Sequence, residues 1–124
     1  MTPLNVVVAQ ADSQRAEALA ASLHAHFRSV SVARSLEELR DAIPKNRAEV
    51  AIVDLELVSL PEVQELHREF TGTCIVCTHR LGDEEMWTSA LSAGASDFCS
   101  NADARDVVLA ALRAVSSQNR SSAA

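Results

Sequence analysis

The stretch Glu49-Val50-Ala51-Ile52-Val53-Asp54-Leu55-Glu56-Leu57 constrains the fold more than any other part of the chain. Val50 to Val53 is a continuous apolar run, the pattern of a strand buried on both faces of a parallel sheet. The run ends abruptly in a carboxylate. In an open, doubly wound sheet, ligand chemistry gathers in the crevice at the carboxyl ends of the strands. Asp54 is then expected at that crevice, on rigid scaffold rather than on a loop.

The flanking sequence supplies the alternation such a sheet needs. Leu4 to Ala9 reads as a first buried strand, and Asp12 is well placed as a helix N-cap. From Arg15 to Phe27, the residues Ala16, Leu19, Ala20, Leu23 and Phe27 make an amphipathic stripe. Val30 to Ala33 is a short second strand. Ser35-Leu36-Glu37-Glu38 has the form of a capping box. The helix it opens turns Leu36, Leu39 and Ile43 inward and stops at or soon after Pro44. Past the Asp54 strand, Pro61 suits the first turn of a third helix carrying Val63, Leu66 and Phe70, which Thr71-Gly72 ends. Thr73 to Thr78 is a fourth strand. A helix starting near Asp83 carries Met86, Trp87, Ala90 and Leu91, and Gly94 closes it. Asp97 to Ser100 is a short fifth strand. Asn101 is positioned to cap a last helix whose stripe is Val107, Val108, Ala111, Leu112 and Val115. Five strands alternating with five helices imply an α/β, doubly wound, five-stranded parallel sheet in three layers, α/β/α. Residues 1–117 are expected to form this domain, and the small polar residues 118–124 a flexible tail.

Composition narrows the function classes. A length of 124 residues suits one domain. Aromatics are 3% of the chain, so the core must be aliphatic. A net charge of −6 argues against a nucleic-acid surface, which needs a basic stripe. No apolar run approaches the ~20 residues of a membrane helix. Met1-Thr2-Pro3-Leu4 lacks the layout of a signal peptide, and the expected location is cytoplasmic. Cys74-Ile75-Val76-Cys77 is a C-x-x-C, but a redox pair needs a helix N-terminus. Inside a strand, positions three apart point to opposite faces, so both cysteines read as small core residues. His24 and His26, two apart on a helix, share no face and form no chelating pair.

Val53-Asp54 ending the third strand, Thr78 ending the fourth, and Gly94-Ala95-Ser96-Asp97-Phe98 leading into the fifth resemble the receiver domain of bacterial two-component response regulators, a flavodoxin-like fold. The resemblance covers roughly Leu4 to Val115. It implies that Asp54 is the phosphoacceptor for a histidine kinase, with Thr78 as the switch hydroxyl and Phe98 as the switch aromatic. It also implies Mg²⁺ held by an acidic pair after the first strand together with Asp54 and a backbone carbonyl, here that of Glu56.

Two places depart from the family. The acidic pair falls in Ala9-Gln10-Ala11-Asp12, and the helical stripe after it favours Ala11-Asp12 as the pair position, leaving Asp12 as one acid. The Lys-Pro expected after the fifth strand is Asn101-Ala102. A charge pair at ~4 Å is worth on the order of 4 kcal/mol at an effective dielectric near 20. With Asn101 in place of the lysine, a phosphorylated Asp54 has one fewer counter-ion, and phosphoryl transfer rests on positioning and charge neutralisation.

The expected function is therefore a receiver-like signalling module with an atypical site, not an enzyme beyond any self-phosphorylation at Asp54. It would work through protein contacts with a histidine kinase or an output partner, or as a homodimer through the fourth helix, fifth strand and fifth helix. Trp87 on that face is either an exposed anchor or core. The alternative is a working, Mg²⁺-dependent phosphoacceptor. A nucleotide-binding flavodoxin-like domain would need a glycine-rich loop after the first strand, and Ala9-Gln10-Ala11-Asp12-Ser13 has no glycine.

Overall fold

The structure, a computed structural model, describes residues 2–100 and 103–123. The elements alternate strictly: β1 (Thr2–Ala9), α1 (Ser13–Leu23), β2 (Phe27–Ala33), α2 (Leu36–Lys45), β3 (Val50–Asp54), α3 (Leu60–Glu69), β4 (Cys74–Thr78), α4 (Glu84–Ser92), β5 (Asp97–Cys99) and α5 (Ala104–Ala123). The strands form one parallel sheet in the order β2-β1-β3-β4-β5. The chain first builds outward from β1 to β2, then returns to place β3 on the other side of β1. The topological switch point, where α/β sheets open a crevice, therefore lies between β1 and β3.

Each central strand is buried on both faces, which is why the apolar runs are unbroken. Val6, Val8, Val50, Ile52, Cys74, Val76 and Cys99 pack against Leu19 and Leu23 of α1 and Val107, Ala110, Ala111 and Ala114 of α5. Val7, Ala9, Ala51, Val53, Ile75 and Cys77 face the other way, onto Leu39 and Ile43, Val63 and Leu66, and Ala90. The two-residue period thus sends Cys74 and Cys77 into different cores, and neither they nor Cys99 forms a disulfide. Burial pushes the Cys77 thiol up to about 12 and, with Asp97 and Asp106 nearby, the Cys99 thiol to about 11.

Several boundaries differ from the sequence expectation. Phe27 is not the last residue of the first helical stripe; α1 ends at Leu23, and Phe27 begins β2, fully buried. An aromatic four residues after Leu23 fits either period, and the pairing of β2 with β1 decides it. The stripe on α4 is narrower than its sequence suggests. Only the small Ala90 is buried, while Trp87 and Leu91 are 48% and 43% exposed. Ser35 caps α2 as expected, but Glu38 reaches back to the Arg34 N–H rather than to Ser35. The reciprocal box is at α3, where Ser59 and Glu62 exchange both bonds. Asp103 caps α5, its carboxylate accepting the Arg105 N–H and its carbonyl that of Val107; Asn101 lies outside the described residues. The backbone of α5 continues through the polar end of the chain to Ala123.

Gly94 follows Ala93, the C-cap of α4, with φ +108°, and a Cβ there would stand 2.6 Å from Cγ of His67. Gly94→Ala is expected to cost about 1–3 kcal/mol in chemical denaturation. Adding His67→Ala should recover only the steric part, since the backbone strain stays. The native thiols should also resist iodoacetamide at pH about 8, where a free thiol is partly ionised, and mass spectrometry should find alkylation only after unfolding.

Candidate functional site at the carboxyl end of the sheet

The register builds this site. Ala9 pairs with Val53 and Asp54 with Thr78, so the residue after Ala9, Gln10, stands beside Asp54. Gln10, Asp54 and Thr78 continue the alternation of Val8, Ile52 and Val76, and so project toward the α1/α5 layer. Three polar side chains form a row across the ends of three adjacent strands. All are buried, at 6%, 7% and 1% exposure.

Asp54 accepts on both carboxylate oxygens: Oδ1 takes the Glu56 N–H at 2.9 Å and Oδ2 the Ala11 N–H at 3.0 Å. Its carbonyl accepts from Leu57 and Val58, while the Leu55 N–H donates to the Thr78 carbonyl. The chain after β3 is thus wound tightly against the site and reaches α3 at Leu60. Gln10 Nε2 donates to Thr78 Oγ1 at 3.2 Å. Neighbouring strands lie about 4.8 Å apart, and β3 separates β1 from β4. The Gln10 arm therefore crosses the end of β3, where Asp54 stands.

Asp12, the expected acid of the pair, is elsewhere engaged. It is exposed and caps α1, its Oδ1 accepting from the N–H groups of Gln14 and Arg15. The residues flanking Asp54 are Gln10 by side chain and Ala11 by backbone. Extending the Leu4, Val6, Val8 alternation by one step would have pointed to Gln10; the helical stripe pointed two residues too late. Glu56 gives its N–H to Asp54, and its carboxylate pairs with Arg80 Nε at 2.9 Å. That pair joins the turn after β3 to the loop after β4, and its exposure limits it to a small stabilisation.

Phe98 is half-buried and packs with the opposite core from Thr78. Its ring lies over Gly82: a Cβ there would sit 2.5 Å from Cζ. Gly82, which sequence reasoning missed, is what lets the ring occupy that place. Beyond it runs an open groove lined by Gly82, Asp83, Glu84, Trp87, Phe98 and Arg113, with Arg113 and Asp97 paired at 2.9 Å. Asn101, in place of the lysine, lies outside the described residues.

The side chains around Asp54 are a poor fit for Mg²⁺, a hard cation that takes oxygen ligands in a near-ideal octahedron. Asp54 is the one carboxylate in the row, both its oxygens already hold N–H groups, and its neighbour is an amide. Among the described residues no three His, Cys, Asp or Glu side chains form a metal-holding group. Among the described residues no helix is long and apolar enough to cross a membrane.

No protein-family model matches the sequence, and no curated protein matches it. Solved structures do match. NtrX from Brucella abortus superposes with a TM-score of 0.84 at 20% identity, over 97% of this chain and 28% of that one. The chain thus spans little more than a quarter of NtrX. The receiver domain of the Francisella response regulator 1452 gives a TM-score of 0.79 at 16% identity, over 92% of this chain and 98% of that one. A response regulator from Thermotoga maritima gives 0.75 at 20% identity, over 90% and 98%. At such identities the likeness is one of architecture, and the chain has the fold of response regulator receiver domains.

Proposed function

We propose that this chain is a receiver-like signalling domain of a two-component system that works by protein contact, without needing phosphorylation of Asp54. The observation that carries this reading is the Gln10–Thr78 hydrogen bond. It spans the acceptor carboxylate and ties Thr78 Oγ1 to the end of β1, across the place a phosphoryl group would take. Both Asp54 oxygens already accept backbone N–H groups, and the row offers no cation to neutralise a phosphate.

The contact surface in this reading is the face of α4, β5 and α5, where Trp87, Leu91 and Leu109 are exposed large apolar residues. Trp87 has the character of an interface anchor. A histidine kinase, an output protein or a second copy of the chain are the partners this reading allows, in a bacterial cytoplasm. The competing reading is a working Mg²⁺-dependent phosphoacceptor, favoured by the place of Asp54 at the end of β3 beside Thr78.

Acetyl phosphate with excess Mg²⁺, read by intact mass, separates the two. The proposed function predicts no phosphoryl adduct on the wild type and no change in Trp87 fluorescence with beryllofluoride. An adduct on the wild type that Asp54→Asn abolishes would establish the phosphoacceptor instead.

A further inference from the structure

The residue beside Asp54 carries an inference of its own, resting on the reading of this row as the functional site. Two carboxylates at the ends of adjacent parallel strands, pointing to the same face, make a natural divalent-cation site, because hard cations collect carboxylate oxygens. The geometry for such a pair is present between β1 and β3: Gln10 follows Ala9, whose partner is Val53, and so lies next to Asp54. What the place lacks is the second charge. The amide is 6% exposed, and its Nε2 is directed to Thr78 Oγ1, past Asp54. An N–H donor aimed across the site repels a cation, and the arm fills the space where water ligands would stand.

We infer that Gln10 alone decides whether this site takes a divalent cation: as glutamine it keeps the cation out, and a carboxylate at the same position admits it. Asp12 plays no part, since its carboxylate caps α1. Nor does the side chain of Glu56, whose carboxylate is paired with Arg80. Gln10→Asp shortens the arm, frees Thr78 and opens room for water beside Asp54. Gln10→Glu keeps the length of the arm and changes only its charge.

The probe is Mn²⁺, followed by the electron paramagnetic resonance signal of the free aqueous ion, with no phosphoryl donor present. The wild type should leave that signal unchanged. Gln10→Asp should bind one Mn²⁺ per chain at least about tenfold more tightly than the wild type, as a second carboxylate would give. Asp54→Asn added to it should abolish binding. Asp12→Ala in the Gln10→Asp background should leave Mn²⁺ binding intact. Gln10→Glu guards against misfolding of the shorter variant, and near-ultraviolet circular dichroism of Trp87 reports folding in each. A wild-type site lost in Asp54→Asn would overturn the inference, as would a folded Gln10→Asp or Gln10→Glu that binds no ion. Failure of the proposed function appears elsewhere, as a phosphoryl adduct on the wild type, so the two are read separately.

Discussion

Everything at the carboxyl edge of this sheet depends on the lateral register of β1, β3 and β4. Parallel pairing fixes Ala9 against Val53 and Asp54 against Thr78. Because side chains alternate with a period of two, that pairing also fixes which residues share a face. A slip of one residue in β1 would put Ala9 or Ala11 beside Asp54 in place of Gln10, and the buried row would lose the amide that bonds Thr78. The rigid sheet thus holds the three polar groups in line more firmly than loops would.

The energetics of the row follow from burial. A buried polar atom without a partner costs about 1–3 kcal/mol, and here the backbone supplies most of the partners. Ala11 and Glu56 offer their N–H groups to Asp54, and the Thr78 hydroxyl is met by Gln10. The Glu56–Arg80 pair adds a link between the two loops at the rim, at the solvent-exposed end of the site. Of the three side chains in the row, Asp54 is the one that can carry a formal charge, and both its oxygens are met by backbone N–H groups.

The fold was legible because its signal is long-range order in the sequence: unbroken apolar runs at Val50 to Val53 and Cys74 to Cys77, alternating with helical stripes. The site was legible in part. Asp54 and Thr78 end apolar runs, and that position alone marks them. Gln10 is not legible, because an isolated amide carries no chemical signature and the helical stripe after it points to Asp12 instead. Phe27 misled for a related reason, since one aromatic at a boundary fits two periods. The sequence left open whether Trp87 is anchor or core, because a stripe shows which side of a helix is apolar, not how much of it touches the sheet. Gly82 was invisible because its role is to leave space for a ring that is distant in sequence.

The strand order has a consequence for how the chain is made. β1 is synthesised first, yet its second neighbour, β3, begins only at Val50. Without β3, one edge of β1 has no partner in the sheet, and an unpaired edge is the template on which chains join wrongly. With β3 in place β1 becomes interior, and the growing edge moves outward to β4 and then to the short β5. The strand that ends in Asp54 is thus also the one that closes the second edge of β1 against pairing with other chains.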